Sequence, residues 1–246
     1  MAHYRFIHHD KKFIACISPK CGSTTLKDWF IASLESPEPL QHAALATYML
    51  APGELARYPH YRKIFFIRDP FRRLVSFYCG WVVREVPLWC FADADGRERL
   101  EGVSFRGFIH TLAALHARGA AFQHHLEPQL KDVEGIVFDH VIPIERLDDE
   151  IRRLDRELGI RYEPQHRNAT PYSSDTIDSV FDLPPSEIAA RGIPASECFY
   201  NQALIEIVSR LYREDIGFYR RSSGALSAHP EVSFRLDHGE VRNPRA

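Results

Sequence analysis

A chain of 246 residues, 45% hydrophobic, can bury one substantial core, and its length allows one domain or two small ones. Its formal net charge of −2 argues against general nucleic-acid binding, which needs a strong basic excess. Five cysteines, an odd number without a Cys-x-x-Cys pair, argue against both a disulfide framework and a structural zinc site.

Along the chain, His3–Lys12 is polar and aromatic and reads as a short edge strand or arm. Phe13–Ile17 is an apolar strand, and a helix starts near Thr24 with Leu26, Trp29, Phe30 and Leu34 at helical spacing. Ser36-Pro37-Glu38-Pro39 stops it. Gln41–Leu55 suggests a further short helix with a loop, Lys63–Ile67 a second strand, and Phe71–Val83 a second long helix. Glu85–Gly102 lacks periodicity and is expected to be an insertion loop. Ser104–Arg118 is amphipathic, with Phe105, Phe108, Ile109, Leu112 and Leu115 on one face. Ile136–Ile144 is a third strand candidate, leading through Glu145 into a helix over Leu147–Leu158 that Gly159 ends. Residues 164–197 read as loop with one short turn, and Cys198–Tyr212 as a last helix. Residues 1–221 are expected to be one domain and 222–246 a mobile tail, since no linker or repeat interrupts the middle. Strands alternating with helices call for an α/β domain with a central, mainly parallel sheet flanked by helices.

Two segments carry the chemistry. In Ser18-Pro19-Lys20-Cys21-Gly22-Ser23-Thr24-Thr25, a buried strand runs into an anion-binding turn at a helix N-terminus. It is not a Walker A loop, because Lys20 precedes the only glycine. Gly22 lets the backbone approach an anion, and the three hydroxyls can cap the helix while donating to phosphate oxygens. Taken alone, the turn is equally an ordinary capped junction with a surface lysine. Cys21 is the one thiol that a helix end and Lys20 would activate, although a spacer role is preferred.

The second segment, Arg68-Asp69-Pro70-Phe71-Arg72-Arg73-Leu74-Val75-Ser76, settles the matter. Arg68 stands at a strand end and can fork two bonds to a phosphate. Ser76 follows about two turns into the helix, and Pro70 suits its first turn. Asp69, Arg72 and Arg73 read as a solvated helix start with local ion pairs. Local clusters of this kind, at Lys20 and Arg68–Arg73, suit a small anionic ligand.

Together these segments resemble the 5′-phosphosulfate loop and the 3′-phosphate segment of sulfotransferases that use 3′-phosphoadenosine-5′-phosphosulfate (PAPS). The phrase from Arg68 to Tyr78 is most similar to the carbohydrate-type group, which includes chondroitin and heparan 2-O enzymes. Cys21–Thr25 is nearer the cytosolic enzymes' loop, which leaves the acceptor class open. The resemblance implies a P-loop-like three-layer domain. It places Lys20, Cys21, Gly22, Ser23, Thr24 and Thr25 around the phosphosulfate and Arg68 and Ser76 around the 3′-phosphate. His166-Arg167 in a weaker match is expected to close over the nucleotide, with Arg167 supplementing the 3′-phosphate contact.

On that likeness the protein is expected to transfer a sulfuryl group from PAPS to a hydroxyl of a carbohydrate or small metabolite, releasing PAP. Lys20 would neutralise charge on the leaving oxygen. Of 13 histidines, His42 is the first candidate for the base, since it lies between the motifs as in heparan 2-O-type enzymes. His124 and His125 are the alternatives, in a segment similar to the family's acceptor region. Glu127 is placed to orient one of them, whereas Glu145 reads as a helix-start carboxylate. Trp81, Trp89 and Phe91 are candidates to stack an acceptor, or equally core residues. No metal is required, and no apolar stretch approaches the roughly 20 residues of a membrane span. A cytoplasmic, bacterial enzyme is expected. The competing functions are a P-loop kinase or NTPase and an inactive PAP-binding protein.

Overall fold

The computed structural model describes residues 3–36, 40–84, 102–120, 122–163 and 179–223. Four strands, β1 (Tyr4–His8), β2 (Phe13–Ile17), β3 (Arg62–Ile67) and β4 (His140–Pro143), form one sheet in that order. β1 is antiparallel to β2, whereas β2, β3 and β4 run parallel. The helices are α1 (Ser23–Ser33), α2 (Pro70–Trp81), α3 (Phe105–Ala117), α4 (Leu147–Leu158), α5 (Pro185–Arg191), α6 (Gln202–Leu211) and α7 (Arg213–Ser222).

The alternation of a strand sends successive side chains to opposite faces. Phe13, Ala15 and Ile17 of β2 and Ile64 and Phe66 of β3 pack on α1 through Leu26, Trp29 and Phe30, and on α4 through Ile151 and Leu154. Ile14, Cys16, Phe65 and Ile67 face the other way, against Leu50, Leu55, Val133 and Tyr219 of α7. All five residues of β2 are buried, as a strand covered on both faces must be. The result is the expected three-layer α/β arrangement. A third core, outside the sheet, joins α2, α3 and α6 through Phe77, Tyr78, Phe105, Phe108, Leu204 and Val208.

Several boundaries differ from expectation for local reasons. The third strand is only His140–Pro143. Gly135 is left-handed, and Asp139 turns the chain by accepting from Lys63 N at 2.7 Å through its carboxylate. Gln41–Leu55 forms two 3₁₀ turns, His42–Tyr48 and Glu54–Arg57, broken by left-handed Gly53. The segment expected to be loop contains α5, started by Pro185 at its first position. The helix expected over Cys198–Tyr212 is shorter, α6 being capped by Asn201, and after Tyr212 leaves helical geometry a further helix, α7, follows that was not expected from the sequence. Trp89, Phe91, His166, Arg167, the loop from Glu85 to Glu101 and residues 224–246 lie outside the described residues. Among the described residues no helix is long and apolar enough to cross a membrane.

The inner side of β1 holds one costly group. Arg5 is completely buried, its three guanidinium nitrogens have no hydrogen-bond partner among the described residues, and its one ion pair, to Asp132, is 3.5 Å long. A buried cation with a single partner depends heavily on it. We therefore expect Asp132→Asn to cost about 2–3 kcal/mol in urea unfolding, because it strands the charge. Arg5→Met, which removes the charge and keeps the volume, should cost less than half as much.

Candidate active site

Because β2, β3 and β4 are parallel, with Ile17 opposite Phe66 and Ile67 opposite Pro143, their C-terminal ends lie side by side. Three connections emerge there: Ser18–Gly22, Arg68-Asp69 and Ile144–Arg146. This is the edge at which open α/β sheets bind ligands.

The first connection is a tight turn. Cys21 N donates to Ser18 O at 3.2 Å, and both Lys20 (φ 65°) and Gly22 (φ 66°) are left-handed. Glycine adopts that conformation freely. At Lys20 the left-handed backbone costs about 1 kcal/mol, a strain sited at a residue that carries charge into the site. Left-handed residues on either side of Cys21 turn successive amides toward one side, the geometry of an anion nest. Gly22 is the N-cap of α1, no side chain caps this helix, and its first turn holds no acid. The hydroxyls of Ser23, Thr24 and Thr25 were expected as caps; the left-handed glycine instead puts the boundary ahead of them, so they sit within the first turn. α2 differs: Asp69 closes it by accepting from Arg72 N at 3.0 Å. An anion thus meets an open positive helix end at α1 and a filled one at α2.

The two cations named from the sequence meet here. Arg68 Nη1 donates to Lys20 O at 3.0 Å, and Arg68 Nε is buried without a hydrogen-bond partner among the described residues. The Lys20 ammonium lies on α2, where a Cβ built on Gly80 would stand 2.8 Å from Nζ. Ser76, half-buried, is one turn before Gly80 on the same helix face. Burial pushes the Lys20 ammonium down to about 8, and the positive charges of Arg68, Arg84 and Arg73 push the same way. A cation surrounded by cations is a site built for a multiply charged anion.

Residues that sequence reasoning missed hold these loops together. The Gln129 amide is buried and pairs with Arg68 in both directions, accepting from Arg68 N at 2.9 Å and donating to Arg68 O at 2.8 Å. Its oxygen also accepts from Cys21 Sγ at 3.2 Å. Behind it, the buried Asp215 of α7 accepts from Gln129 N at 2.7 Å and Leu130 N at 3.1 Å. Arg73, expected on a solvated surface, is only 2% exposed; it donates to Pro19 O, His125 O and Glu127 O at 3.2, 2.9 and 2.8 Å. Its even spacing with buried Phe77 was the available signal. Asp69 and Glu145 also lie under the site, Asp69 N donating to Glu145 Oε1 at 3.2 Å. Burial raises the Asp69 carboxyl to about 6, and Glu145 adds to the rise.

The histidines separate. His42 is exposed and opens the first 3₁₀ turn, with Nε2 2.8 Å from Asp28 Oδ1 of α1. His125 packs on Trp81, with ring centroids 5.2 Å apart, and its Nδ1 is engaged by Gln123. Burial pushes His125 down to about 3, with His124, Lys20 and Arg73 adding to the fall. That leaves it neutral and a weak base. Glu127 pairs with Lys131 at 2.7 Å rather than with a histidine. Among the described residues no cluster of three or more His, Cys, Asp or Glu is placed to hold a metal ion.

The thiol in the turn behaves opposite to the activated case. Burial pushes Cys21 up to about 12, outweighing Arg73 and Arg68, which pull it down. Iodoacetamide at neutral pH should therefore leave Cys21 unlabelled in the folded protein while the half-buried Cys198 reacts. Peptide mass spectrometry after brief labelling checks this, and rapid native labelling of Cys21 would contradict the burial argument.

No curated protein and no solved structure matches the chain. The model of the Sulfotransferase family matches residues 3–220, nearly the whole described fold and every residue of both anion-binding connections. The chain belongs to the Sulfotransferase family, whose chemistry is sulfuryl transfer.

Proposed function

We propose that this site binds PAPS and transfers its sulfuryl group to a hydroxyl of a carbohydrate or small hydroxylated metabolite. The observation that carries the proposal is the pairing of Lys20 and Arg68 beside the uncapped end of α1, with no carboxylate in that first turn. In this reading the Gly22–Thr25 amides and hydroxyls and Lys20 receive the phosphosulfate. Arg68, whose Nε lacks a partner among the described residues, and Ser76 receive the 3′-phosphate.

The acceptor oxygen attacks sulfur in line, the bond from sulfur to the bridging oxygen breaks, and PAP leaves with that oxygen's charge facing Lys20. The acceptor's proton passes to a base. His42 is the better choice: Asp28 fixes one imidazole nitrogen and leaves the other exposed. His125, held neutral and weakly basic beside Trp81, suits the wall of the acceptor cleft. His124 is exposed next to it.

Calorimetry with PAP, and mass detection of sulfate transfer to a panel of glycans and hydroxylated metabolites, test this reading. Wild-type protein should bind PAP and sulfate at least one acceptor. Lys20→Met should lower turnover about 100- to 1,000-fold, and His42→Ala about 100-fold or more. Arg68→Met should weaken PAP binding by about 2 kcal/mol. Binding without transfer to any acceptor would identify an inactive PAP-binding protein; no binding heat would overturn the proposal.

The pH dependence has a definite sign. Lys20 must be charged to hold the anion, and in the empty site it loses its proton near pH 8. PAP affinity should be greatest below that value and fall as pH rises through it, with proton uptake on binding. An affinity flat across this range would show that Lys20 does not contact the nucleotide.

A further inference from the structure

We propose that Gly80 of α2 is a positioning residue for Lys20: the missing side chain is the seat in which the ammonium rests, and no larger residue can occupy the position without displacing it. This deepens the assignment of Lys20 above and rests on it. α2 runs Pro70–Trp81, and Gly80 is its penultimate residue, preceded by Phe77, Tyr78 and Cys79, which are buried. Glycine inside a helix costs about 1 kcal/mol relative to alanine, so its presence calls for a local reason.

The reason is steric and specific. A Cβ on Gly80 would lie 2.8 Å from Lys20 Nζ and 3.9 Å from Lys20 Cε, and among the described residues no other atom outside its chain neighbours and its own helix backbone would stand within 4 Å of it. Backbone geometry does not demand glycine there, because Gly80 is absent from the residues with positive φ. Among the described residues the space is taken by the lysine alone. Lys20 has little choice of path, since its own backbone is fixed in the left-handed region and its carbonyl is held by Arg68 Nη1 at 3.0 Å. From that anchor the side chain reaches α2 next to Ser76, one turn before Gly80 on the same face. Among the described residues the charged and titratable groups bearing on the ammonium are Arg68 after β3, Arg73 and Cys79 of α2, Arg84 beyond it, and His125. Pushed off its seat, the ammonium moves away from these groups toward water.

Gly80→Ala separates this from a structural role, because the two predict opposite changes. Only the tip of a flexible side chain must move, and alanine favours the helix, so the melting temperature should stay level or rise. Turnover should fall about 10- to 100-fold from misplacement of the charge, with the acceptor KM little changed. A readout independent of transfer is the titration of the Lys20 amine, followed by NMR of protein carrying lysine labelled with carbon-13 at Cε and assigned with Lys20→Arg. In wild-type protein it should titrate near 8, and in Gly80→Ala move toward 10.5, the ordinary value for lysine. Wild-type turnover together with an unshifted amine in Gly80→Ala would overturn the proposal, and so would lost turnover with an unshifted amine. If the wild-type protein gives no binding heat with PAP, the donor assignment fails. The amine titration then still decides whether Gly80 seats Lys20.

Discussion

The site exists because like charges are held together against their repulsion, and the buried amide of Gln129 is what holds them. It bonds to both backbone groups of Arg68 and to the Cys21 thiol, so the connections after β2 and β3 become one unit. Asp215 then fixes Gln129 from α7, on the far side of the sheet. Arg73 completes the frame by bonding to Pro19 and to the backbone at His125 and Glu127. Polar groups this deeply buried tolerate no partial satisfaction, which makes the arrangement rigid. Rigidity matters here because sulfuryl transfer depends mainly on placement and charge.

The electrostatic design follows from that frame. Lys20 and Arg68 stand at the strand ends, and the buried Asp69 is joined through its amide to the Glu145 carboxylate. Asp69 closes α2, so the acid is kept from competing at the open end of α1. The low affinity of Lys20 for its proton comes first from burial, and the charges of Arg68, Arg84 and Arg73 add to it.

Much of this was legible in the sequence because the informative features are local. Apolar β2 and β3, the glycine turn, Pro70 at the start of α2 and Gly159 at the end of α4 each follow from the chemistry of one short segment. Parallel pairing then had to bring Lys20 and Arg68 together. What stayed hidden depends on partners far away in the chain. Arg73 reads as a surface residue until Pro19 and His125 arrive from elsewhere, and Gln129 reads as part of an acceptor loop until Arg68 fills its amide. For Cys21 the same limit applies: the nearby positive charges are visible in the sequence, the burial that outweighs them is not. The division of the C-terminal helix at Tyr212 is also tertiary, because that side chain is drawn inward to donate from its hydroxyl to Leu126 O at 2.7 Å.

The bare start of α1 carries a further consequence. Its N-cap is a glycine that supplies no oxygen, in a protein where Ser104 and Asn201 cap other helices with their side chains. The missing acceptor has been left for the guest to provide. On the proposed reading an incoming anion would supply that acceptor, at the start of a helix whose Trp29 indole donates to Asp155 of α4 at 2.8 Å.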